Sequence, residues 1–193
     1  MIIMRLDGNI NYIVSGLERS GTSMLMQILV EAGVPTFFDD ARKADKDNPK
    51  GYFELRGGKI INSLMENRFP FNEKKGKFIK ITAYGLRFLP RGNYKIIYSE
   101  RNIDEILDSM EEMMGKKDIE REKTKETFLR LNSSVKDLIG KRDDICVCYV
   151  NYNSILSNPE ENIKKILDFL NVSCFKLDKM IDVVDRKLYR KRR

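Results

Sequence analysis

Asn11-Tyr-Ile-Val-Ser-Gly16-Leu-Glu-Arg-Ser-Gly-Thr-Ser23-Met-Leu-Met-Gln-Ile-Leu-Val-Glu-Ala32 decides the fold. Tyr12 to Ser15 is a short apolar run closed by Gly16, the pattern of a buried strand. From Thr22 the period changes. Leu25, Ile28, Leu29 and Ala32 recur at helical spacing, and Gly33 and Pro35 supply a stop. Between strand and helix lies Gly16-Leu-Glu-Arg-Ser-Gly-Thr-Ser23, with the outline of a phosphate loop. In that setting main-chain N–H groups and a helix N-terminus face one anion. Thr22 and Ser23 add hydroxyls. A nucleoside-triphosphatase loop needs Lys where Thr22 stands, for the β- and γ-phosphates. Here Arg19 is the loop's cation, which argues against kinase or ATPase chemistry.

The same alternation continues outward. Lys77–Ile81 and Tyr94–Tyr98 predict further strands, and Ile145–Val150, apolar throughout, predicts an interior parallel strand. Helices are predicted over Tyr52–Glu66, from Ile103, over Lys116–Lys141 and over Pro159–Leu170. Asn102 and Glu105 have capping-box spacing, while Asn158 and Pro159 have the types of an N-cap and first turn. Strands alternating with helices predict one α/β domain over residues 1–193. The expected form is three-layered and P-loop NTPase-like, with a central parallel sheet of about four to five strands flanked by helices.

Composition narrows the chemistry. With no histidine in 193 residues, a general base must be Asp, Glu, Lys, Tyr or a thiolate. Cys146, Cys148 and Cys174 are odd in number and have no metal-ligand spacing, which predicts reduced thiols and a cytoplasmic setting. No apolar run is long enough to span a membrane. The net charge of +7 comes from 36 basic against 29 acidic residues. Six of the basic residues lie in Arg186-Lys-Leu-Tyr-Arg-Lys-Arg-Arg193, so residues 1–185 balance at 30 against 29. The excess belongs to the tail, and no nucleic-acid partner is expected.

These residues resemble a known family, the sulfotransferases that use 3′-phosphoadenosine-5′-phosphosulfate (PAPS). Arg19-Ser20-Gly21-Thr22-Ser23 is similar to their loop, a Lys or Arg followed by Ser-Gly-Thr. The resemblance implies that this loop grips the 5′-phosphosulfate. Arg101, after the strand Tyr94–Tyr98, and Ser109, eight residues later, have the family's spacing for two contacts to the 3′-phosphate. Asp47-Asn-Pro-Lys-Gly-Tyr-Phe-Glu54 resembles a segment of bacterial members, and Val184-Asp185 with Leu188-Tyr189-Arg190 resembles their ending. That ending implies a nucleotide contact from Arg186 or Arg190.

The resemblance implies sulfuryl transfer to a hydroxyl or amine, with 3′,5′-ADP as product and no metal. Arg19 and Lys80 are the expected cations at the reacting group. Glu54 is the candidate base, with Asp39 and Asp40 as alternatives. Phe37, Phe38, Tyr52, Phe53 and Tyr84 are expected to line the acceptor, a sugar, phenol or lipid. The other readings are a small-molecule kinase, or a nucleotide-binding module without turnover. Oligomeric state is not legible in the sequence.

Overall fold

Among the described residues four parallel strands form the sheet: β1 (Asn11–Gly16), β2 (Phe78–Lys80), β3 (Tyr94–Glu100) and β4 (Ile145–Asn151), in the order β2-β1-β3-β4. The computed structural model describes residues 6–172 and 176–185. Register runs without interruption, from Asn11 opposite Tyr94 to Gly16 opposite Ser99, and from Tyr94 opposite Ile145 to Glu100 opposite Asn151.

Strand alternation sorts the core into two layers. Tyr12, Val14, Ile97 and Cys148 point to one side, where they meet α1 (Thr22–Glu31), α7 (Pro159–Leu170) and α8 (Leu177–Asp182). Ile13, Ile79, Ile96 and Tyr98 point to the other. They meet α2 (Ile60–Met65), α4 (Ile103–Met114) and α5 (Arg121–Gly140). Short helices α3 (Phe71–Lys74) and α6 (Tyr152–Ser157) complete the order. This is the expected three-layer parallel α/β fold. Ile13, Val14, Ile96 and Ile97 are fully buried, each contributing about 2 kcal/mol through removal of apolar surface from water. Tyr98 reaches through its layer and donates to Asn132 Oδ1 on α5 at 2.7 Å.

Three expectations are corrected. No helix starts at Tyr52. Phe53 and Arg56 have positive φ, as do Gly57 and Gly58, so the chain runs irregularly through a 3-10 turn and α2 begins at Ile60. The strand Ile145–Asn151 is an edge strand, with Cys146 exposed, although its sequence is apolar throughout. Asn102 does cap α4, accepting from the Asp104 N–H at 2.8 Å, but Glu105 does not close a capping box. Its carboxylate is taken by Arg101 and Asn153.

The topology positions the site. β1 lies beside β3 at the centre of the sheet; the connection from β1 leads outward to β2 and the connection from β3 leads outward to β4, in opposite directions. A parallel sheet opens a crevice at such a switch, outside the carboxyl ends of its strands. The segments after β1, β2, β3 and β4 all reach that edge.

Candidate active site

The loop after β1 keeps its amides available. Gly21 is the N-cap of α1 at φ 102 and brings no side-chain cap, so the first-turn N–H groups face the crevice uncapped. Gly21 cannot be replaced here, because a Cβ on it would lie 2.3 Å from Cδ2 of Tyr152. Arg19 holds φ 65, the left-handed region that side chains avoid. Ser20 is 1 % exposed, and its hydroxyl has no hydrogen-bond partner among the described residues. Ser20 lies beneath the loop, its N–H bonded to Leu17 O at 3.2 Å, while Gly21, Thr22 and Ser23 face the open crevice.

Arg101 leaves the end of β3 and locks this loop from the side. Its Nη1 donates to the Arg19 main-chain oxygen at 3.0 Å and its Nε to Glu105 Oε2 at 2.9 Å. Glu105 is fully buried and also accepts from Asn153 Nδ2 at 3.0 Å. The Arg101 guanidinium lies 4.5 Å over the ring of Tyr152. Ser109, on α4, accepts from Arg19 Nε at 2.9 Å. The spacing of Arg101 and Ser109 therefore does place both against the glycine loop. The Arg19 guanidinium itself turns toward Ser109 and Met113 on α4, not toward Lys80.

Lys80 closes β2 and faces the loop from the opposite side. Its ammonium donates to Tyr52 O at 2.7 Å, Ser23 Oγ at 3.0 Å and Glu54 Oε1 at 3.1 Å. Burial pushes the Lys80 pKa down, with Glu54 opposing the shift. Glu54 Oε2 accepts from Arg42 Nη1 at 3.3 Å. Arg42 also stacks 3.4 Å over the Tyr52 ring, and the Tyr52 hydroxyl bonds Asp45 at 2.9 Å. Two segments distant in sequence thus meet at one carboxylate.

These groups border a single cleft of about 660 Å³, lined by Arg19, Thr22, Ser23, Glu54, Lys80, Arg101 and Ser109 together. The other predicted residues divide. Tyr52 and Tyr84 line the cleft, whereas Phe37, Phe38 and Phe53 pack against the hydrophobic core. Asp39 is structural, accepting from the Ala41 and Arg56 N–H groups, and neither Asp39 nor Asp40 lines the cleft. Arg186, Arg190 and the rest of the basic tail, with Cys174, lie outside the described residues.

Arg42 and Tyr152 escaped the sequence reading. Tyr152 carried a faint signal, an aromatic residue just past the end of a predicted parallel strand. Arg42 carried none. No helix among the described residues is long and apolar enough to cross a membrane.

The cleft can hold an anionic ligand along the glycine loop and set a carboxylate and an ammonium beside it. Comparison with known proteins places the architecture. No curated protein sequence matches significantly. The sulfotransferase domain from the Synechococcus PCC 7002 olefin synthase is similar in structure, with TM-score 0.56 and 15 % identity over 96 % of this chain and 84 % of that one. Mouse sulfotransferase SULT7A1, complexed with PAP, aligns with TM-score 0.52 and 13 % identity over 92 % of this chain and 63 % of its own. The sulfotransferase domain from the curacin biosynthetic pathway gives 0.51 and 13 %, over 94 % and 79 %. Those identities speak for the fold alone. The family model described as the sulfotransferase domain matches residues 10–190, and by that match the chain belongs to the sulfotransferase domain family.

Proposed function

We propose that the chain transfers a sulfuryl group from PAPS to a hydroxyl or amine of a small acceptor and releases 3′,5′-ADP. The observation that carries this reading is the convergence of Arg19, Arg101 and Ser109 at the switch between β1 and β3, across the cleft from Lys80 and Glu54.

In this reading Arg101 and Ser109 take the 3′-phosphate. Ser20, Gly21, Thr22 and Ser23 take the 5′-phosphosulfate through the loop amides and hydroxyls. Arg19 leaves Ser109 to the nucleotide and turns to the phosphosulfate. The acceptor oxygen attacks sulfur in line as the bond to the bridging phosphate oxygen breaks. Its proton passes to Glu54. Charge on the leaving oxygen is met by Arg19, Lys80 and the helix N-terminus, so positioning and fixed charge supply most of the catalysis. Residues 1–193 act as one domain, placed in the cytoplasm on the sequence alone, from three cysteines that are odd in number and lack metal-ligand spacing. Arg190 is assigned to the nucleotide on the sequence resemblance alone.

Transfer of ³⁵S from labelled PAPS to a panel of sugar, phenol and amine acceptors tests the reading. Wild type should produce labelled sulfate ester, or sulfamate from an amine, together with 3′,5′-ADP. Glu54→Gln should bind 3′,5′-ADP normally and lose turnover by 10²-fold or more, the ordinary worth of a general base. Full turnover in Glu54→Gln would remove Glu54 from the reaction.

A further inference from the structure

Arg42 stands at a place in the cleft where no motif marks it. Its side chain is 39 % exposed, while Lys80, on the other oxygen of Glu54, is 6 % exposed. Glu54 therefore bridges one buried cation and one that solvent reaches. Beside Oε2 run Gly57 and Gly58, both at positive φ. A Cβ on Gly58 would lie 3.3 Å from Oε2, so glycine keeps that approach to the carboxylate open. The next residue, Lys59, lines the cleft and makes no ion pair among the described residues. Further along, the wall is polar, with Asn62, Thr82 and the 40 % exposed ring of Tyr84.

We propose that Arg42 is a specificity residue for an anionic, polyhydroxylated acceptor of the sugar-acid class. This rests on the sulfuryl-transfer reading of the same cleft. The Arg42–Glu54 contact is a single, part-exposed bond of 3.3 Å, the kind of ion pair that contributes little net stability. An acceptor carboxylate offers the guanidinium a bidentate partner instead, with Lys59 as a second cation. Arg42 then leaves Oε2 of Glu54 and turns to the acceptor. The acceptor hydroxyl enters over Gly57 and Gly58, and its oxygen forms the new bond to sulfur. The bond from sulfur to the bridging phosphate oxygen breaks, and the hydroxyl proton goes to Oε2. The products are the sulfate ester and 3′,5′-ADP. One side chain thereby selects the acceptor and frees the base. The wall beyond suits a sugar: Asn62 and Thr82 offer hydrogen bonds, and the Tyr84 ring is a flat face for an apolar C–H surface.

The test is calorimetry on protein saturated with 3′,5′-ADP, titrated with D-glucuronate and with D-glucose. Glucuronate should bind at least tenfold more tightly. Arg42→Ala should erase that difference, and Arg42→Lys should keep part of it. Equal binding of the two sugars, binding of neither at millimolar concentration, or a preference that survives Arg42→Ala overturns the proposal. The same titration with 4-hydroxybenzoate and phenol checks the scaffold. A charge preference seen in that pair alone overturns the sugar class. Failure to bind 3′,5′-ADP at all would instead bring down the sulfuryl-transfer reading, and this inference with it.

Discussion

Arg101 Nη1 donates to the main-chain oxygen of Arg19 at 3.0 Å, so the segment after β3 holds the loop after β1 in place. The same guanidinium gives its Nε to Glu105. The two bonds leave separate nitrogens held apart in one guanidinium plane, a spacing that the single nitrogen of a lysine ammonium does not span. Arg101→Ala should weaken 3′,5′-ADP by about 100-fold, since a charge-assisted bond to the 3′-phosphate of up to about 3 kcal/mol is lost together with the support of the loop. Arg101→Lys should recover little of it. Calorimetric titration checks both, and near-wild-type affinity in Arg101→Lys would show that charge alone suffices.

Glu105 is fully buried and faces a guanidinium whose side chain is 7 % exposed. Removing one member of a buried pair strands the other in a poorly solvated place. Glu105→Ala should lower stability by about 3 kcal/mol. Urea denaturation measures it directly. A loss below about 0.5 kcal/mol, the range of ordinary surface changes, would mean that water reaches Arg101.

Arg19 is in the left-handed region, at φ 65. Glycine accepts that conformation freely, whereas alanine carries a cost of about 1 kcal/mol. Arg19→Gly should therefore unfold at higher temperature than Arg19→Ala, while both lose 3′,5′-ADP affinity. Equal melting temperatures would show that the loop relaxes out of this conformation when its side chain is cut back.

Lys80 titrates below its ordinary value of 10.5 because it is buried, with Glu54 opposing the shift. A lowered folded value means that the unfolded chain binds the proton more tightly. The cost of burying the charge is then fully present below the folded pKa, and stability recovers as pH rises from there toward 10.5. Tyr94 and Tyr98 oppose this at high pH, since burial pushes both phenols up, Tyr94 to about 12. The informative quantity is the difference between wild type and Lys80→Met. It should shift in favour of wild type as pH rises toward 10.5. A difference independent of pH would show that Lys80 is solvated in the folded protein.

The β1–loop–α1 unit was legible because strand period, glycine spacing and helix period follow one another within local sequence. Helix Pro159–Leu170 has its predicted bounds for the same reason: its Pro and its apolar face are local signals. Where sequence reading went wrong, tertiary contacts had overridden local pattern. Glu105 has the spacing of a capping box but answers Arg101 and Asn153 instead. The apolar residues of Tyr52–Glu66 suggested one helix, yet positive φ at Phe53, Arg56, Gly57 and Gly58 breaks it and lets Glu54 meet Lys80. Short α6 and α8 carry too few turns to show a period. In the cleft, spacing is what singles out Arg19, Arg101 and Ser109, and the structure brings these three together. Arg42 was not, since only the folding of an irregular loop brings it to Glu54.

The nucleotide preference of the cleft is read most directly by a thermal-shift comparison of 3′,5′-ADP with 5′-AMP, ADP and ATP–Mg²⁺. A ligand at 100 times its Kd stabilises by about 2.7 kcal/mol, readily seen as a shift in melting temperature. A cleft built around Arg19, Arg101 and Ser109 should be stabilised by 3′,5′-ADP alone, and the effect should be lost in Arg101→Ala. Stabilisation by ATP–Mg²⁺ with no response to 3′,5′-ADP would contradict it and turn the search toward phosphoryl transfer.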